Sequence, residues 1–131
     1  MKFEVEKNKK MIAELGEKHE LDLVLLFGSQ ASGKTHAQSD VDIAIHGARR
    51  FRPMELAQIQ FDFSSALKIE LIEIADLKSA TPLLMKEIAD NSILLYEKEA
   101  NLYDELKIYF LRRYFEARPL LKMREEQLKI T

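Results

Sequence analysis

From Leu21 to Ile45 the chain reads LDLVLLFGSQASGKTHAQSDVDIAI: an apolar run, a Gly-Ser corner, a polar spacer of ten residues, and an Asp-Val-Asp opening a second apolar run. Two phosphate-handling expressions overlap in this stretch. Gly28-x4-Gly33-Lys34-Thr35 fits a P-loop, whereas Gly28-Ser29 followed by Asp40-x-Asp42 fits a metal-dependent nucleotidyl transfer site. A P-loop requires its Lys-Thr pair to open a helix whose first amides hold the phosphates. Between Thr35 and Val41 stand only His36, Ala37, Gln38, Ser39 and Asp40, after which Val41, Ile43 and Ile45 alternate as in a strand. Five small or polar residues make no stable packed helix, so the second expression is favoured.

That expression gives each polar residue a task. A strand delivers Gly28, whose missing side chain lets backbone approach a triphosphate, and Ser29 adds a hydroxyl beside the amides of a short helical start. Asp40 and Asp42 are two apart, so on extended backbone both carboxylates leave the same side. Two like charges so placed call for a cation, and hard oxygen donors suit Mg²⁺, with Mn²⁺ able to substitute. A pair of such ions can stabilise both the attacking and the leaving oxygen of a phosphoryl displacement. A lone Asp-x-Asp is more often a solvated turn. The strand and Gly-Ser corner at fixed distance reverse that preference.

The pattern GSxAxGxxxxxSDxDxAI, from Gly28 to Ile45, closely resembles the minimal nucleotidyltransferases (MNT domains) of the DNA polymerase beta superfamily. Lys68 to Ile74 looks like the strand carrying that family's third carboxylate. Ser79-Ala-Thr-Pro-Leu-Leu and Ile93-Leu-Leu-Tyr96 are similar to segments that follow it in antitoxin members. In this register Glu70 stands where the family has Asp. Glu70 and Glu73 are three apart and lie on opposite faces of a strand, so at most one joins the site; the family register favours Glu70. The resemblance implies that Gly28, Ser29 and Ser39 bind nucleotide and that Asp40, Asp42 and Glu70 hold two metal ions as the catalytic acids. A tyrosine-rich helix, an Arg-Pro-Leu and a basic terminal stretch are similar to the ends of MNT antitoxins that pair with HEPN ribonuclease toxins. The implied activity is transfer of AMP from ATP to a tyrosine of such a toxin, silencing it. The alternatives are the same chemistry on a small-molecule hydroxyl of the aminoglycoside kind, and a binding antitoxin without catalysis.

With 131 residues, 47% of them hydrophobic, the chain has the size and composition of one catalytic domain with a real core. It contains no cysteine, which excludes disulfides and thiolate chemistry. Net charge is −2, so no global basic field draws it to nucleic acid, and no apolar run approaches the length of a membrane span. The chain reads as cytoplasmic. Arg49, Arg50 and Arg52 form a local cluster that suits a phosphate, an acidic partner or plain solvent.

The expected fold is α/β: the nucleotidyltransferase fold, with a small mixed sheet of about four strands flanked by helices and a C-terminal helical extension. Periodicity predicts helices over 7–19, from Pro53, from Pro82 through Ile88, and from Leu102 until Pro119 breaks or bends the last one. Strands are expected over 21–27, 41–45, 68–74 and 92–96. The domain is expected to cover 1–118. The amphipathic 119–131 tail has little left to pack on except a partner, in a homo- or hetero-oligomer.

Overall fold

The computed structural model describes residues 2–32 and 41–130, Ile130 through its backbone alone. Its elements run α1 (Val5–Lys18), β1 (Leu21–Phe27), α2 (Ser29–Ser32), β2 (Val41–Gly47), α3 (Pro53–Leu67), β3 (Ile72–Asp76), a 3₁₀ turn (Leu77–Ser79), α4 (Pro82–Asn91), β4 (Ile93–Glu97) and α5 (Leu102–Ile130). The four strands form one sheet in the order β3-β2-β1-β4, with β1 antiparallel to both its neighbours and β2 parallel to β3. This is the mixed, helix-flanked sheet expected from the sequence.

The two central strands explain the layering. LDLVLLF and VDIAIHG are apolar at almost every position because both faces of the sheet are covered. On one face Val24, Leu26, Val41, Ile43 and Ile45 pack with Ile12 and Leu15 of α1 and Ile59, Phe63 and Leu67 of α3. On the other, Leu25 and Ala44 meet Leu77, Ile88 of α4 and Phe110 of α5. Burial of these side chains at roughly 1.5–3 kcal/mol each is the main force holding the helices to the sheet.

Helix ends follow local chemistry. Pro53 and Pro82 occupy first-turn positions where no N–H is needed. The Thr81 hydroxyl accepts from the Leu84 amide at 3.2 Å, and Glu55 Oε1 accepts from the Arg52 amide at 2.8 Å. Lys68 ends α3 in the left-handed region with φ 56°.

Two expectations are corrected. The third strand begins at Ile72, not Lys68, because residues 68–71 are spent turning out of α3: the Ile69 amide donates to the Ser64 carbonyl, and the Ser64 hydroxyl donates to the Ile69 carbonyl. Pro119 does not break the last helix, which continues to Ile130. The ring removes the N–H that would have bonded the Phe115 carbonyl, but Phe115 and Pro119 are both exposed, so water can take that acceptor.

Candidate active site

β1 and β2 meet the site at one end of the sheet. Phe27 pairs with Asp42, so the residue after β1, Gly28, lies beside the first turn of β2. Gly28 has φ +71°, and a Cβ built on it would fall well under 3.0 Å from Asp42 Oδ2. The glycine therefore makes a cradle into which the Asp42 carboxylate projects. Asp42 itself is only 8% exposed, and it shares its face of β2 with Ala44, two residues on.

Immediately after Gly28 the chain makes one helical turn, α2, closed by the Ala31 and Ser32 amides, which both donate to the Gly28 carbonyl at 3.2 and 3.0 Å. Ser29 opens this turn, and as a first-turn residue its amide has no helical acceptor. A hydroxyl and an amide beside a carboxylate at a glycine corner can hold an anion next to a cation. The turn also bears on the P-loop expression: it fills the four positions between the two glycines, which a phosphate loop would need open, and β1 has antiparallel neighbours on both sides.

The in-register parallel pair Asp42 and Glu73 sets the third position. Partnered residues of a parallel pair project from the same face, with strands about 4.8 Å apart, so Glu73 joins Asp42 and Ala75 joins Ala44. Glu70 lies outside the strand, exposed, in the turn between α3 and β3. The structure thus brings Gly28, Ser29 and Asp42 together and sets Glu73 alongside, whereas Glu70 is not on their face of β3. Asp40 and Ser39 lie outside the described residues. Among the described residues no three acidic or histidine side chains gather closely enough to cage an ion. The donors present, carboxylate oxygens of Asp42 and Glu73, are of the hard kind that Mg²⁺ and Mn²⁺ take.

Other polar groups on these strands are accounted for by structure. Asp76 is buried, its carboxylate accepting from the Phe51 amide at 2.9 Å and the Lys78 amide at 3.0 Å, which caps the 3₁₀ turn. His46 meets Asp22 at 3.3 Å at the far end of β2. In the arginine cluster, Arg49 forms a forked pair with Glu55 at 2.9 and 2.7 Å, and its guanidinium holds the Glu55 carboxyl down at about 2. Glu73, three residues beyond the Glu70 that the family register favoured, is the glutamate that β3 sets level with Asp42. The signal was Asp76-Leu77-Lys78, an Asp cap closing the strand and shifting its frame toward the C-terminus.

A glycine corner and a carboxylate-bearing strand in a four-stranded mixed sheet define a nucleotidyl transfer fold, and residues 9–101 match the family Polymerase beta, Nucleotidyltransferase. The chain belongs to that family. It is 30% identical over 86 residues, 66% of its own length, to the protein adenylyltransferase MntA of Shewanella oneidensis, and spans 60% of that relative. Solved neighbours share the fold. A toxin-antitoxin crystal structure with AMP-PNP superposes with TM-score 0.79 at 22% identity, covering 93% of this chain and 98% of that one. The MNT antitoxin complex with tri-AMPylated Shewanella oneidensis HEPN toxin gives 0.77 at 20% identity, covering 96% and 99%.

Proposed function

We propose that this chain is an antitoxin that transfers AMP from ATP to a tyrosine hydroxyl of a partner HEPN ribonuclease in the cytoplasm, neutralising it. The observation that carries the reading is the Gly28 corner against Asp42, since only a residue without a Cβ lets that buried carboxylate sit against the turn, at the place where the pattern requires nucleotide and ion. The likeness to a protein adenylyltransferase, and a fold shared with antitoxins solved alongside AMPylated toxin and AMP-PNP, support a protein acceptor.

In this reading Gly28 admits the phosphate chain, and the Ser29 hydroxyl and amide hold its oxygens, with Ser39 as a further contact. Asp40, Asp42 and Glu73 are the residues that would hold divalent cations, with Glu73 taking the place first expected of Glu70 because it shares the face of Asp42. Bound there, the ions would neutralise charge on the triphosphate and polarise the α-phosphorus. The acceptor tyrosine oxygen forms a new bond to that phosphorus in line with the leaving group. The bond from the α-phosphorus to its bridging oxygen breaks, pyrophosphate departs with the electron pair, and the phenolic proton passes to a carboxylate, for which Glu73 is placed. Most of the acceleration comes from positioning and charge neutralisation.

The test is incubation of the chain with ATP, Mg²⁺ and the product of the adjacent reading frame, read by intact mass. A partner heavier by AMP, abolished by Asp42→Asn in a variant that still folds, is the expected result. An unmodified complex would instead indicate a binding antitoxin, and the absence of any complex a small-molecule acceptor.

A further inference from the structure

The turn that carries Ser29 is a single turn of four residues. A single helical turn is unstable by itself, and in α2 the Ala31 and Ser32 amides both donate to the Gly28 carbonyl. A third bond arrives from 27 residues away: the Phe3 amide donates to Gln30 Oε1 at 2.9 Å. Phe3 is 6% exposed and packs in the same core cluster as Ile12, Leu15 and Val24. Its backbone stands just ahead of α1, whose N-cap, Glu4, makes no side-chain cap bond. The bond therefore meets two needs. It satisfies a main-chain donor at a buried position, and it fastens the Gly28-Ser29 corner to a residue that the core immobilises.

We infer that Gln30 is a positioning residue for nucleotide binding, acting through Phe3 to hold the Ser29 turn at the distance from Asp42 that a bound triphosphate requires. The inference rests on the nucleotidyl transfer reading, since it assigns the turn to the phosphates. Loss of the side chain frees the turn to sample other orientations, so the ordering cost falls on nucleotide binding. The reacting groups, Asp42 and Glu73, stand on strands and are untouched. The signature is a split between KM and kcat.

The test compares wild type, Gln30→Ala and Gln30→Glu, the last retaining an acceptor oxygen at the same reach. Steady-state AMP transfer is measured with ATP varied, and amide hydrogen exchange is followed at Phe3 and across 29–32. Gln30→Ala is expected to raise the KM for ATP about tenfold, the order of one net hydrogen bond, with kcat nearly unchanged. Exchange at Phe3 and in the turn should rise together, and Gln30→Glu should restore protection at Phe3. A Gln30→Ala protein with wild-type KM and unchanged exchange overturns the inference. So does one whose kcat and thermal stability fall with KM unmoved, since that marks a purely structural role. If wild type neither binds ATP nor transfers AMP, the transfer reading fails, while the exchange data still report whether the tether from Phe3 to the turn exists.

Discussion

Gly28 has two separate reasons to be glycine. Its φ of +71° lies where an L-residue is strained, and a Cβ there would collide with Asp42 Oδ2. Gly28→Ala is therefore expected to lose about 1–3 kcal/mol of stability from backbone strain alone, measurable by urea denaturation. It should lose transfer activity out of proportion to that, because the displaced group is the buried Asp42 carboxylate. The two glutamates offer a sharper contrast. Glu73 pairs in register with Asp42, while Glu70 is exposed ahead of the strand. Glu73→Gln should lower kcat by about 100-fold or more, the scale of a removed proton acceptor or ion ligand, and Glu70→Gln should leave it near wild type. The reverse outcome in parallel kinetic assays would return the third acid to the turn.

Among the elements, α1 and α3 are pinned together at one carboxylate. Asp62 accepts from Lys18 Nζ at 3.0 Å, His19 Nε2 at 2.8 Å and Gln58 Nε2 at 2.9 Å, and its side chain is 11% exposed. Its pKa is lowered, with the Lys18 bond as the largest cause and burial opposing it. A carboxyl whose folded pKa lies below its unfolded value stabilises the protein above the unfolded pKa, near 3.8. That contribution fades as pH falls through it toward the folded value. Thermal melts of wild type and Asp62→Asn should therefore converge as pH drops below about 4 and separate above it. Elements of this kind were legible unevenly. The β1 and β2 runs, the proline-led starts of α3 and α4 and the site corner at Gly28 follow from local pattern, since burial on both faces and fixed φ leave direct marks on sequence. The start of β3 did not, because Lys-Ile-Glu-Leu alternates as well as Ile-Glu-Ile-Ala does, and only the hydrogen bonds of Ser64 with Ile69 decide which residues leave the helix. That four-residue difference in where β3 begins decides which glutamate stands level with Asp42. The Asp62 clamp and the Gln30 tether join residues 43 and 27 apart, and no local pattern carries them.

At the scale of the whole molecule, the carboxylates stand on β2 and β3, whereas the end of α5 lies along the start of α4. Asp42 stands at the start of β2, level with Glu73, whereas α4 begins at Pro82, after β3 has run its length to Asp76 beside Ile45. Pro82 lines a groove of about 470 Å³ with Ala117, Leu120, Leu121, Met123, Arg124 and Gln127 of α5. Leu120, Met123 and Leu128 are 70, 58 and 73% exposed. The segment is also basic, residues 101–131 holding seven Lys and Arg against five Asp and Glu while the body is acidic, which suits an acidic patch on the partner. If this tail grips the toxin, binding and chemistry are separable. A chain ending at Arg118 removes residues of α5 that are exposed from 119 to 129 apart from the half-buried Leu121, so its melting temperature should fall by no more than about 5 °C. Its affinity for ATP should match the full-length chain, because Gly28, Ser29 and Asp42 stand on β1, α2 and β2 and none of them lines the groove at the end of α5. Transfer to the partner at low concentration should collapse and recover as partner is raised, the behaviour of lost docking with an intact site. Titrating partner against both chains, with ATP saturating, separates this from a structural role: equal KM for the partner would show that the tail contributes nothing to its capture.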